Sequence, residues 1–121
     1  MDQVIARSED VENLGDAVSF QVQKNGRLWP AFVIRYENRA LCYLNACAHV
    51  GLRLNGDKNE VFGRDKNTLV CRAHGAIYEV ASGLCTDGPC TGYSLIALEI
   101  EERDGDIIYL DTDYTLVSPG P

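Results

Sequence analysis

Two short strings hold the residues able to do chemistry. The first is Cys47-Ala48-His49, followed by Val50-Gly51-Leu52; the second is Cys71-Arg72-Ala73-His74, followed by Gly75. The 21 residues 50–70 separate them. Each string supplies one thiolate and one imidazole, and each is followed closely by a glycine that permits a tight loop. Two such pairs on separate loops make a four-ligand metal site. The chain has two histidines in total, and both fall in these strings, so coincidental placement is a poor explanation. A tetrahedral Cys2His2 zinc site is the competing chemistry. Against it, one residue between cysteine and histidine is shorter than the usual zinc spacings, and no helix is predicted to carry the second pair.

The segments that must position these strings have the period of strands. Val18, Phe20 and Val22 alternate with Ser19, Gln21 and Gln23, and Asn25-Gly26 then favours the positive φ angles of a tight hairpin. The next apolar stretch, Leu28 to Tyr36, contains Trp29-Pro30. Proline lacks the amide proton of a central strand, so this end is expected at an edge or bulge. Glu37-Asn38 reads as a second turn, leading into Leu41–Leu44. Farther on, Ile96, Leu98 and Ile100 alternate with Ala97, Glu99 and Glu101, and Asp104-Gly105 signals a hairpin into Ile107–Leu110. Ser8–Gly15 is expected to form one short helical turn at most. The tail from Ser118 to Pro121 is expected to fray. Between the two β-rich blocks, residues 45–91 are rich in glycine and polar residues, with only short apolar pieces at Thr68–Val70 and Ile77–Val80. A long loop region inside a small domain is usually functional.

At 121 residues the chain fits one domain, and 45% hydrophobic with 24% charged residues is ordinary globular composition. The formal net charge of −7 disfavours binding to nucleic acid or anionic membrane. Seven acids (Glu99, Glu101, Glu102, Asp104, Asp106, Asp111, Asp113) stand against Arg103 in residues 99–113, and the rest of the chain is about neutral. A solvated strand face explains such a run as well as a docking site does. No signal peptide or membrane-spanning run is visible, and five cysteines are an odd count for a disulfide framework, so a cytoplasmic setting is expected. Cys42 alternates with Ala40 and Leu44 as a core residue would. Cys85 and Cys90 flank Asp87-Gly88-Pro89, where either pairing or ordinary packing is open.

The spacing of the two strings resembles the Rieske signature, and the likeness extends beyond the ligands. Cys47 to Leu54 is similar to that family's first cluster loop, Cys71 to Tyr78 to its second, and Gly83 with Asp87-Gly88-Pro89 to its proline-bearing third. The resemblance implies an all-β fold: an antiparallel sandwich or partly open barrel from residues 1–44 and 91–121, with an inserted cluster-binding subdomain at 45–90. It implies one 2Fe–2S cluster, with Cys47 and Cys71 on one iron and His49 and His74 on the other. Neutral imidazoles in place of two thiolates remove two negative charges and raise the potential to roughly −150 to +300 mV. After reduction the extra negative charge should raise the imidazole pKa values and couple electron to proton transfer.

Departures from the family's respiratory members narrow the expectation. Their loop-tying disulfide would need cysteines where this chain has Leu52 and Ala73. Their serine that donates to a cluster sulfide is Ala76 here, while the tyrosine that bonds a ligand sulfur is matched by Tyr78. Fewer hydrogen bonds to sulfur predict a potential below the respiratory type. The resemblance is to stand-alone ferredoxins of ring-hydroxylating oxygenase systems: a soluble one-electron carrier between a reductase, expected to be flavin-dependent, and a terminal oxygenase or other acceptor. The alternatives are a redox sensor or an electron-entry subunit of a larger complex. Oxygen activation in this family takes a separate iron on two histidines and a carboxylate, and both histidines here are committed, so no enzymatic activity of its own is expected.

Overall fold

The computed structural model describes residues 3–45, 61–63, 67–70, 76–88 and 92–118. Within these lie ten strands and a single 3-10 turn, Ser8–Asp10. The strands are β1 (Val4–Arg7), β2 (Val18–Lys24), β3 (Arg27–Tyr36), β4 (Arg39–Leu44), β5 (Thr68–Val70), β6 (Ile77–Glu79), β7 (Cys85–Asp87), β8 (Ile100–Arg103), β9 (Asp106–Tyr109) and β10 (Thr115–Ser118). They form three antiparallel sheets, ordered β1-β9-β8, β10-β2-β3-β4 and β5-β6-β7, none closed into a barrel.

Turn chemistry sets this frame. Asn25-Gly26 and Asp104-Gly105 take positive φ at both positions and close the β2–β3 and β8–β9 hairpins. Glu37 and Asn38 do the same without glycine, at φ 50° and 64°. Their strain is offset locally, for the Asn38 amide donates to Asn13 Oδ1 at 3.1 Å.

Strand β3 is the wall between two buried clusters, because its side chains alternate across the sheet. Phe32 and Ile34 pack with Tyr43, Val61, Phe62, Leu69, Tyr78 and Val80, which joins the four-stranded sheet to β5-β6-β7. Ala31 and Val33 pack on the other side with Phe20 of β2, Leu98, and Ile5, Ile107 and Tyr109 of the β1-β9-β8 sheet.

Two expectations are corrected in detail, whereas Pro30 meets the edge expected of it, pairing with Gln21 of β2 beyond the last β3–β4 pair. It is tolerated because the β3–β4 ladder ends at Ala31–Leu44, leaving only an amide from Asn45 to the Pro30 carbonyl (2.8 Å) beyond it. The alternating run from Ile96 does not start a regular strand until Ile100. Residues 96–98 first flank β4, through Leu44 N–H to Ile96 O and Leu98 N–H to Cys42 O, both 2.9 Å. The chain then crosses to the other sheet, leaving Ile96 exposed. Ser118 closes β10, an edge strand on β2 that carries no alternating pattern.

Arg35 locks the far end of β3. Its Nε donates to the Val11 carbonyl (2.8 Å), its Nη1 to Glu102 Oε1 (3.0 Å), and its Nη2 to Glu102 Oε2. The hydrogen bond from Arg35 holds the Glu102 carboxyl below its ordinary value of 4.5. The unfolded chain therefore binds the proton first, and stability from this pair is complete above about pH 5. It declines as pH falls below 4.5 toward the lowered folded-state value. Denaturant midpoints between pH 6 and 3 should fall less steeply in Glu102→Gln than in the native chain.

Candidate metal centre

The three-stranded sheet β5-β6-β7 gathers the ends of the loops at one edge. Val70 N–H donates to Val61 O at 3.0 Å, Val70 pairs with Ile77, and Ile77 pairs with Asp87. Positions 61, 70, 77 and 87 thus share one end of the sheet. The chain leaves that end toward 60, toward 71 and toward 88, and returns to it at 76. In the four-stranded sheet, β4 ends at Leu44, followed by the buried Asn45. Cys47, His49, Cys71 and His74 themselves lie outside the described residues.

The described residues of the small sheet are closely fitted. Gly88 takes φ +97°, and a Cβ there would sit 2.8 Å from Ala76 Cα and 3.3 Å from Ala76 N. The turn after β7 therefore presses directly on Ala76, the residue just before β6 and two positions after His74. The Asp87 carboxylate accepts the Gly88 amide at 2.9 Å and shapes that turn. At the opposite end of the sheet, Gly83 (φ +76°) leaves room for the Tyr43 ring, which a Cβ would meet at 2.9 Å. The Tyr43 hydroxyl donates to Val80 O at 2.6 Å, and burial pushes its pKa up to about 12, so it stays a donor. Sequence reading placed Tyr43 only as a strand residue. Its role in seating the small sheet depends on residues 37 positions away and has no local signal.

Tyr78 is fully buried in β6, between Leu69 and Cys85. Cys42 and Cys85 are both buried in the hydrophobic clusters. Burial pushes the Cys42 thiol up, and Cys85 Sγ donates to Asp87 O at 3.2 Å. Cys90 lies outside the described residues. Among the described residues no three histidine, cysteine or acidic side chains converge on a metal position. The two described thiols are both packed in the hydrophobic clusters. Thiolate and imidazole in equal number fit a cluster with one sulfur-ligated and one nitrogen-ligated iron.

The chain matches the Rieske [2Fe-2S] domain model over residues 1–99 and belongs to that family; its cofactor is accordingly a Rieske-type 2Fe–2S cluster. Among solved structures it is similar to the ferredoxin of carbazole 1,9a-dioxygenase from Nocardioides aromaticivorans IC177. The TM-score is 0.70 at 18% identity, covering 93% of this chain and 99% of that one. It is also similar to the terminal oxygenase of the same system (TM-score 0.73, 17% identity), covering 98% of this chain but 32% of the oxygenase. A third likeness is to a complex of reduced oxygenase and oxidized ferredoxin in carbazole 1,9a-dioxygenase (TM-score 0.66, 20% identity), over 89% of this chain and 91% of that one. No curated protein sequence matches the chain. Among the described residues no helix is long and apolar enough to cross a membrane.

Proposed function

We propose that this protein is a one-electron carrier, taking electrons from a flavin-dependent reductase and passing them to a terminal oxygenase or other acceptor. Cys47 and Cys71 hold one iron and His49 and His74 the other, with Tyr78 beside the sulfur. The cluster supplies reversible one-electron storage; the chain supplies a fixed, tightly seated platform. The observation that carries this reading is the end-to-end overlap with a stand-alone ferredoxin, together with the gathered loop ends at one edge of β5-β6-β7.

The test is an EPR spectrum of dithionite-reduced protein with iron and zinc analysis. A rhombic signal, of average g below that of all-cysteine ferredoxins, at two irons per chain supports the reading. One zinc and no signal overturns it. A second reading, an electron-entry domain fixed to a larger oxidoreductase, is favoured by the equally good overlap with about a third of a terminal oxygenase. Co-purification with a large partner separates the two.

Tyr78→Phe should lower the reduction potential while leaving the cluster intact. A hydrogen bond to sulfur that strengthens by about 1 kcal/mol on reduction corresponds to a shift of about 40 mV for one electron. Redox titration followed by EPR measures it, and an unchanged potential means that the hydroxyl serves only packing.

A further inference from the structure

The tip of the β2–β3 hairpin is the second feature near the metal centre. β4 stops opposite Ala31, but β3 and β2 run on past it to Asn25-Gly26. The projecting residues combine charge with apolar surface. Arg27 lies over the Trp29 ring at 4.0 Å, Lys24 lies over the Tyr114 ring at 4.9 Å, and Leu28 is 55% exposed. Both cations are thus held on aromatic faces, which lowers the cost of ordering them on binding.

Chain connectivity limits how far this tip can lie from Cys47. Asn45 is bonded to Pro30 (N to O 2.8 Å). Cys47 is two residues beyond Asn45, and Leu28 is two residues before Pro30, so each is no more than about 7 Å along the chain. The small interfaces typical of electron-transfer encounters cover under about 600 Å² per partner, a disc of roughly 14 Å radius. The chain holds Cys47 within about 19 Å of Leu28, so one contact disc about 28 Å across, centred between them, spans both.

Four acids lie well away from the tip. Glu101, Glu102, Asp104 and Asp106 lie on the β8–β9 hairpin, which Arg35 ties to the other end of β3. Arg35 and Arg27 are eight residues apart on one strand, about 27 Å. That exceeds the Debye length of about 10 Å at 0.1 M salt, so these four carboxylates are screened from the tip. Of the two acids near Tyr114, Asp111 accepts the amides of Glu99, Asp113 and Tyr114, and Asp113 remains exposed.

We propose that Lys24, Arg27 and Leu28 on the β2–β3 hairpin tip form a docking element for an electron-transfer protein whose mating surface is acidic. The inference rests on the carrier reading and names the surface that reading leaves open. The probe is a flavodoxin, a small acidic flavin protein. In its hydroquinone form it loses one electron, and the oxidised protein gains that electron, followed by stopped flow.

The second-order rate constant should fall as salt rises from about 0.1 to 1 M, where the Debye length shrinks from about 10 to 3 Å. Lys24→Glu/Arg27→Glu should lower it about tenfold at 0.1 M and converge with the native protein at 1 M. Oxidation by cytochrome c, a basic acceptor, should change in the opposite direction, which a folding defect cannot produce. With the EPR signal intact in both proteins, an unchanged flavodoxin rate, or a native rate that rises with salt, overturns the docking proposal. A native protein without the Rieske signal overturns the carrier reading first.

Discussion

Replacing His74 by alanine should abolish the rhombic EPR signal and take iron from two per chain to near zero. Each iron of such a cluster has two bridging sulfides and two protein donors, so one lost imidazole opens a quarter of that iron's coordination to water. No other histidine stands ready to substitute, because His49 is already engaged and the chain contains no third. The protein should remain folded: the two buried clusters are built from other residues, and strand content by circular dichroism should persist. His74→Cys makes the complementary case. It restores four donors but adds one negative charge, so it should retain iron at a lower potential and a higher average g. His49→Ala should behave as His74→Ala does. Survival of the Rieske spectrum in both alanine variants would sink the ligand assignment.

The second large effect is expected at Gly88. Alanine there meets two penalties at once. Its φ of +97° is strained for any residue with a side chain, and its Cβ falls 2.8 Å from the Ala76 Cα, where no flexible side chain can move aside. Together these should cost roughly 2–4 kcal/mol of stability. The displacement also passes to the segment carrying Cys71 and His74, because Ala76 follows His74 by two residues. Gly88→Ala should therefore lower the denaturation midpoint and either shift the EPR g values or shed iron. Gly92→Ala is the matched control, since Gly92 has a similar φ of +95° but nothing within 4 Å of the added carbon. It should lose about 1 kcal/mol from backbone strain alone and keep a native spectrum. Equal behaviour of the two variants would show that the contact with Ala76 does not matter.

Much of this arrangement is legible in the residues themselves, for identifiable reasons. A ligand set is strict in residue type and spacing, so Cys-x-His and Cys-x-x-His stand out without any knowledge of packing. Asn25-Gly26 and Asp104-Gly105 specify positive φ locally, and both turns form. The elements that escape notice are those decided at long range. Val4–Arg7 and Thr115–Ser118 are four-residue edge strands, stabilised by pairing with β9 and β2 rather than by any pattern of their own. Ile96 fits the alternation of a strand yet ends up exposed, because the chain changes sheets between Leu98 and Ile100. Pro30 argues for an edge, and its missing amide does fall where β4 has already ended. The close approach of Gly88 to Ala76 joins positions twelve apart, which no local signal announces.

The two-sided wall formed by β3 has a consequence for how the molecule opens. Phe32 to Ile34 are completely buried, and successive residues belong to different hydrophobic clusters. Neither cluster can come apart without exposing part of this strand, so its amide protons should exchange with solvent only through global unfolding. The hairpin tip at Asn25-Gly26, held by fewer neighbours, should exchange through local fraying. A carrier built in this way can let its tip adjust to successive partners while the platform beneath the cluster keeps its shape from one encounter to the next.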